Sequence, residues 1–245
     1  MPKMAVIVVG AGQGTRFGGD ENKIFAVVDG QPVFLRSLQL FVNREDVSQL
    51  LLVVSPSDMG QMKTKFGPNL GFMGVRLVEG GAARHESVAR GLAEVAPESE
   101  YVAVHDAVRP CVASDWIDAV LAEAVKSGAA IPAVRVTATL KRVSEQRIVE
   151  QTVPRDGLWM AQTPQIFRRD VIMAAYKTVP PAGAPVTDDA QLVEASGHAV
   201  SVIEGDPRNI KITTKGDLSL AGAIIKTLPS KPKGGQLGAF EEARW

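Results

Sequence analysis

Two cations follow a glycine-rich turn in the stretch VVGAGQGTRFGGDENK, residues 8–23: Arg16 and Lys23. Backbone N–H groups in turns of this kind form nests that suit anions. Cations just beyond such a nest are placed to close around a triphosphate and to neutralise charge as a phosphorus centre becomes five-coordinate. The alternative is that both are solvated surface charges. Two other glycine motifs fail on spacing. A dinucleotide fingerprint needs glycine at its first, third and sixth positions; counted from Gly10, the chain has Gly10, Gly12 and then Thr15, with Gly14 one place early. No Gly-Lys-Ser/Thr closes the loop, so the P-loop pattern fails as well.

Two further segments carry polar groups of interest: GGAARHES at 80–87 and HDAVRP at 105–110. All three act together only if the fold brings them together. Short apolar runs of strand length recur at MAVIVV (4–9), LLLVVS (50–55), GVRLVEG (74–80), YVAVHDA (101–107) and AAIPAVRV (129–136). Helical patterns separate them at 33–42, where Phe34, Leu38 and Phe41 share a face, at 84–95, and at 115–128, which ends on Gly128. Such βα alternation predicts an α/β fold with a doubly wound, mostly parallel sheet and helices on both faces. Ligands on such sheets bind beyond the carboxyl ends of the strands. GAGQGTR, GGAARHES and HDAVRP all fall at those ends. Asp106, a carboxylate at a strand C-terminus, sits where a ligand site is expected.

Residues 137–155, TATLKRVSEQRIVEQTVPR, break the alternation and read as a two-stranded hairpin around SEQ. An isolated hairpin is marginal in water, so this arm needs a surface to pack on, either its own domain or a second subunit. Helices are expected near 169–178, near 187–196 with Thr187 as cap, and over 213–228. AVSVIEG (199–205) and NIKIT (209–213) read as short strands, with Lys211 opposite Ile210 and Ile212, toward either solvent or the site. The expected organisation is one domain over 1–228, with 137–155 as an arm and 229–245 as a Pro-, Gly- and Lys-rich flexible tail.

Composition narrows the partners. The formal net charge is zero, which gives no electrostatic case for binding nucleic acid or a membrane. The N-terminal apolar run is too short for a signal or membrane segment. Cys111 is the only cysteine, so no intrachain disulfide forms and a reducing cytoplasm fits. No arrangement of His, Cys or Ser reads as a nucleophilic catalytic set, and His105 reads as a strand-end hydrogen-bonding residue.

GAGQGTR followed by Lys23 resembles the signature of nucleotidyltransferases that join sugar or polyol phosphates to nucleotides. With GGAARHESVARGL, VHDAVRPCV, TLKRV, WMAQTPQIF, VTDDAQLVEASG and NIKITTKGDLSLA in order, the chain over 4–226 resembles the 2-C-methyl-D-erythritol 4-phosphate cytidylyltransferase family of the non-mevalonate isoprenoid pathway. The resemblance implies a Rossmann-like sheet of the nucleotide-diphospho-sugar transferase type. It also implies attack by a polyol phosphate on the α-phosphorus of CTP, with pyrophosphate released. A phosphate monoester is already largely dianionic near neutral pH, so the nucleophile needs no general base, and positioning and charge neutralisation carry the reaction.

By resemblance, Ala11, Gly12 and Gly14 line the triphosphate, and Gly81 and Ser87 contact the cytosine nucleoside. Arg16 and Lys23 stabilise the transition state, with Lys211 and Arg155 joining the catalytic groups. Asp106 holds Mg²⁺ near the polyol, and Arg109, Thr163, Thr187 and Lys211 surround the substrate. The arm crosses to a second subunit in a homodimer, so Thr139 and Arg155 grip the substrate phosphate in the partner's site. Two departures stand out. The family usually has Pro before the loop lysine and Gln after it, where this chain has Asn22 and Ile24; the arm usually carries Asp where this chain has Ala138. These keep two alternatives open: a cytidylyltransferase for another polyol phosphate, such as ribitol 5-phosphate, and a catalytically weak CTP-binding protein.

Overall fold

The computed structural model describes residues 1–12, 17, 22–178 and 186–229. Gly14, Arg16, the VPPAGAP turn at 179–185 and residues 230–245 of the tail lie outside the described residues. The strands are β1 (Met4–Val9), β2 (Val27–Val28), β3 (Gln31–Pro32), β4 (Val47–Val54), β5 (Val75–Glu79), β6 (Tyr101–Asp106), β7 (Ala129–Arg135), β8 (Leu140–Val143), β9 (Val149–Val153), β10 (Trp159–Ala161), β11 (Gln165–Arg168) and β12 (Ser201–Glu204). The helices are α1 (Val33–Gln39), α2 (Pro56–Gln61), α3 (Gly67–Phe72), α4 (Arg84–Ala93), α5 (Ser114–Ser127), α6 (Arg169–Ala175), α7 (Asp189–Ala195) and α8 (Gly216–Ile225). A 3₁₀ turn covers Lys23–Phe25, and a π-helical turn, Met62–Phe66, joins α2 to α3.

The main sheet runs β10-β7-β11-β6-β1-β4-β5, with β12 also paired to β7. β6, β1, β4 and β5 are parallel, and β12 runs parallel to β7. β11 is inserted antiparallel between β6 and β7, and β10 pairs antiparallel with β7. The sheet is therefore mostly parallel, as the alternation of elements predicts.

β1 explains why its sequence is apolar throughout. Successive side chains of a strand point to opposite faces. Met4, Val6 and Val8 join a core with Phe34, Leu38 and Ile117, while Ala5, Ile7 and Val9 join a second core with Val88, Leu92 and Ile172. Both faces are covered, so each fully buried valine or isoleucine contributes about 1.5–3 kcal/mol. Gly91 allows α4 to lie close on the sheet; a Cβ there would sit 2.8 Å from Ile7 Cγ2.

Register delivers the strand ends to one edge. Val9 is level with Val53 and Asp106, and Val54 is level with Glu79. The segments starting at Gly10, Gly80 and Asp106 thus open side by side.

Several boundaries differ from the sequence reading. α1 stops at Gln39; Phe41 and Val42 N–H both turn back to the Leu38 carbonyl, and the chain then passes through Asn43, whose φ is +64°. α7 is capped by Asp188, which accepts from Gln191 N–H, and not by Thr187. NIKIT is not a strand: it finds no ladder, and Ile212 N–H donates singly to the Val108 carbonyl. α5 ends as expected at Gly128, which has φ +86° and donates to Ala124. The arm forms as a hairpin, β8 paired antiparallel with β9, separate from the main sheet. It stands exposed, with Val143, Ile148 and Val149 open to solvent. No helix among the described residues is long and apolar enough to cross a membrane.

Candidate active site

The strand ends border a cleft of about 140 Å³ lined by residues that include Ala11, Gly12, Lys23, Arg84, Ser87, Asp106 and Lys211. Gly80 makes this possible. A Cβ there would lie 2.5 Å from the Ala11 Cβ and 2.9 Å from Ser87 Oγ, so only glycine lets the β5 end abut the first glycine turn.

Asp106 is the centre of charge. Its carboxylate lies 2.8 Å from Lys211 Nζ, 3.4 Å from Arg109 Nε and 3.5 Å from Arg84 Nε. Burial alone would raise this carboxyl, but Arg84, Lys211 and Arg109 outweigh it and hold it well below the usual carboxylate range. Lys211 therefore faces the site, while Ile212 beside it is buried in the core.

Arg84, which no motif spacing singled out, ties the cleft to its second wall. Its Nη2 donates to Asp189 Oδ2 at 2.8 Å, and Tyr176 donates its hydroxyl to Asp189 Oδ1 at 2.5 Å. Burial lowers the guanidinium's proton affinity, and Asp189 and Asp106 more than reverse that. Arg84 Nη1 is buried without a hydrogen-bond partner among the described residues, a donor left over beside the cleft. The described cleft region thus sets Lys23, Arg84, Arg109 and Lys211 against the carboxylates of Asp106 and Asp189. The excess is positive, as polyphosphate recognition requires.

Thr163 lies directly behind Asp106. It is buried, and its hydroxyl belongs to an internal chain of hydrogen bonds. The Arg109 carbonyl accepts from His105 Nε2, at 3.0 Å. Nε2 must then carry the proton, which leaves Nδ1 to accept from the Thr163 hydroxyl at 3.0 Å. Thr163 Oγ1 in turn accepts from Asp106 N–H at 3.1 Å. Burial pushes the His105 pKa down to about 4, against the raising effect of Asp106, so the ring is neutral at pH 7. This unit fixes the backbone of both Asp106 and Arg109. It matches the reading of His105 as a hydrogen-bonding residue.

The other expected residues divide clearly. Ser87 is buried, accepts from Gly81 N–H at 3.1 Å and donates to the Ala83 carbonyl at 3.0 Å, so it organises the Gly81 loop from within. Arg109 Nη1 donates to the Asn209 carbonyl at 2.7 Å, which joins β6 to the segment bearing Lys211. Thr187 is exposed and its hydroxyl donates to Gln191 Oε1, outside the cleft lining. Thr139 and Arg155 are exposed on the arm; the Arg155 guanidinium donates to the Thr137 carbonyl and joins none of the described residues lining its own chain's cleft. Gln165, unpredicted, caps α7: its Oε1 accepts from Asp189 and Ala190 N–H, each at 3.1 Å, which sets Asp189 for Arg84.

Asp106 is the carboxylate among the described residues lining the cleft, and its oxygens are paired with Lys211, Arg109 and Arg84. Among the described residues no group of three or more His, Cys, Asp or Glu could hold a metal ion. That donor set suits Mg²⁺, which takes one or two carboxylates and fills its octahedron with waters and substrate phosphates.

Comparison with known proteins agrees with this geometry. Residues 4–227 match the family model for 2-C-methyl-D-erythritol 4-phosphate cytidylyltransferase. A relative of that name from Geobacillus thermodenitrificans is 42% identical over 219 residues, 89% of this chain and 95% of its own. One from Alkaliphilus oremlandii is 39% identical over 226 residues, 92% of this chain and 96% of its own. The crystal structure of 2-C-methyl-D-erythritol 4-phosphate cytidylyltransferase from Thermus thermophilus superposes with a TM-score of 0.74 at 33% identity, covering 92% of this chain and all of that one. Strand ends that converge on a cationic cleft, and likeness along nearly the whole chain, lead to one conclusion: the chain belongs to the 2-C-methyl-D-erythritol 4-phosphate cytidylyltransferase family.

Proposed function

We infer that this chain transfers CMP from CTP to 2-C-methyl-D-erythritol 4-phosphate, releasing pyrophosphate, in isoprenoid precursor synthesis. The observation that carries the reading is the convergence of Arg84, Arg109 and Lys211 on Asp106 at the strand-end edge. The polyol phosphate is a dianion and attacks the α-phosphorus in line. Two polyanions must approach each other, so the work is positioning and charge neutralisation. The neutral, internally bonded His105 is consistent with a reaction that needs no general base.

In this reading Ala11, Gly12 and Gly14 cradle the triphosphate, Gly81 and Ser87 shape the nucleoside end, and Arg16, Lys23 and Lys211 stabilise the transition state. Asp106 would hold Mg²⁺, which when bound shields the phosphate charges and orients them. Arg109 and Thr163 keep Asp106 in place. Residues 1–228 act as one cytoplasmic domain. The arm reaches a second copy of the chain, where Thr139 and Arg155 complete the substrate site and Thr187 lies at its rim. The exposed apolar side chains at the arm's tip, Val143, Ile148 and Val149, support that packing.

The test is incubation of the protein with CTP, Mg²⁺ and each polyol phosphate in turn, with pyrophosphate measured and the CDP-polyol identified by mass. Methylerythritol phosphate should turn over fastest. Faster turnover of ribitol 5-phosphate would reassign the substrate, and CTP binding without pyrophosphate release would make the chain a binding protein.

A further inference from the structure

Asn22 stands directly before Lys23, and its side chain makes three hydrogen bonds. Nδ2 donates to Asp58 Oδ2 at 2.7 Å and to the Gly12 carbonyl at 3.2 Å. Oδ1 accepts from Ile24 N–H at 3.3 Å, which caps the 3₁₀ turn bearing Lys23. The orientation of the amide is decided by its partners: two acceptors require the NH₂ group, and the N–H requires the oxygen. Asp58 is itself held firmly. Its Oδ2 accepts from the Ser55 hydroxyl at 2.6 Å, and its N–H donates back to Ser55 Oγ at 3.1 Å, where β4 passes into α2.

We propose that Asn22 is a positioning residue for nucleotidyl transfer, its carboxamide clasping the Gly12 wall of the cleft to the Lys23 turn with Asp58 as the fixed anchor. The proposal rests on the reading of this cleft as the nucleotide site. The physical need is plain. Lysine carries its charge on a flexible four-carbon stem, so the backbone beneath it sets how well that charge is placed. A misplacement of about 1 Å costs on the order of a hundredfold in rate. Residues 12 and 22 lie ten apart in sequence, yet one side chain holds both. The φ of Asn22, −63°, is also the value a proline ring enforces. The side chain thus achieves by hydrogen bonding what a ring would achieve by covalent constraint.

The test uses Asn22→Asp, which keeps the Oδ1 acceptor, removes both donors and sets a carboxylate against Asp58. Turnover with CTP and methylerythritol phosphate should fall about tenfold in kcat, with the KM for CTP changed less than about threefold. Trypsin should cut after Lys23 faster than in the parent chain, as mapped by mass spectrometry. The double variant Asn22→Asp, Asp58→Asn restores the pair between these two side chains with its direction reversed, leaves the Gly12 carbonyl without its donor, and should recover part of both. The clasp is overturned if Asn22→Asp matches the parent in both readouts, or if the double variant recovers neither. Absence of pyrophosphate release from the parent chain would instead refute the functional reading, and the cleavage pattern would still decide the clasp.

Discussion

Replacing Asp106 by asparagine removes one negative charge from among three cations and changes little else in shape. The three contacts are not equal. Lys211 is nearest, at 2.8 Å, but its side chain is 36% exposed, so solvent screens that pair. Arg109 and Arg84, at 3.4 and 3.5 Å, are 12% and 21% exposed, and the aspartate itself only 8%. Those two pairs are effectively buried, and breaking a buried pair by removing one partner costs about 3–5 kcal/mol. For a domain of this size, each kcal/mol moves the melting midpoint by roughly 2–4 °C. The variant should therefore melt about 10 °C below the parent, as followed by circular dichroism. Its unbalanced cations should then favour a polyanion. CTP without a divalent cation should raise the variant's midpoint by more than the parent's, while turnover falls by about a hundredfold or more. A variant that melts within about 2 °C of the parent would refute the charge balance argued here. So would equal CTP-induced shifts in the two proteins.

Two further outcomes follow, one from the proposed arm exchange and one from the burial of His105. Mixing an Arg155→Ala chain with an Arg16→Ala chain should restore part of the activity that each lacks alone, because one intact site forms when arms are exchanged; no recovery in verified heterodimers would mean that each site is built from one chain. His105 titrates at about 4 in the folded chain against 6.5 ordinarily. The unfolded state therefore takes up the proton first as pH falls. Stability should be full above about pH 6.5 and weaken by about 3 kcal/mol by pH 4, with His105→Gln flattening that part of the urea-unfolding profile.

Much of the site's placement was legible because it follows from short-range pattern and sheet topology. The all-apolar β1 announced a strand covered on both faces, and the βα order then forced the ends at Gly10, Gly80 and Asp106 to one edge. Asp106 was conspicuous as the carboxylate closing a buried strand. Other features depend on long-range register, which local pattern does not encode. β11 enters antiparallel between β6 and β7, and that insertion turns Thr163 inward to His105 and Asp106. NIKIT has the alternation of a strand but pairs with no strand among the described residues, and Ile212 N–H alone reaches the Val108 carbonyl. Arg84 looks like any first-turn arginine until the fold brings Asp189 to it from 105 residues away. Thr187 and Asp188 both suit a cap, and the choice fell to Asp188 as Gln191 N–H came within its reach. Asn22 read as the loss of a proline, whereas its side chain supplies a different constraint.

Cations placed around the phosphates should act on the transition state more than on bound CTP. Single-turnover rates and calorimetric CTP affinities of Lys23→Ala and Arg16→Ala test it most directly. The rate should fall about a hundredfold or more with CTP affinity held within about threefold. Weakened CTP binding with the rate of the bound complex unchanged would make both residues ground-state binders and contradict it.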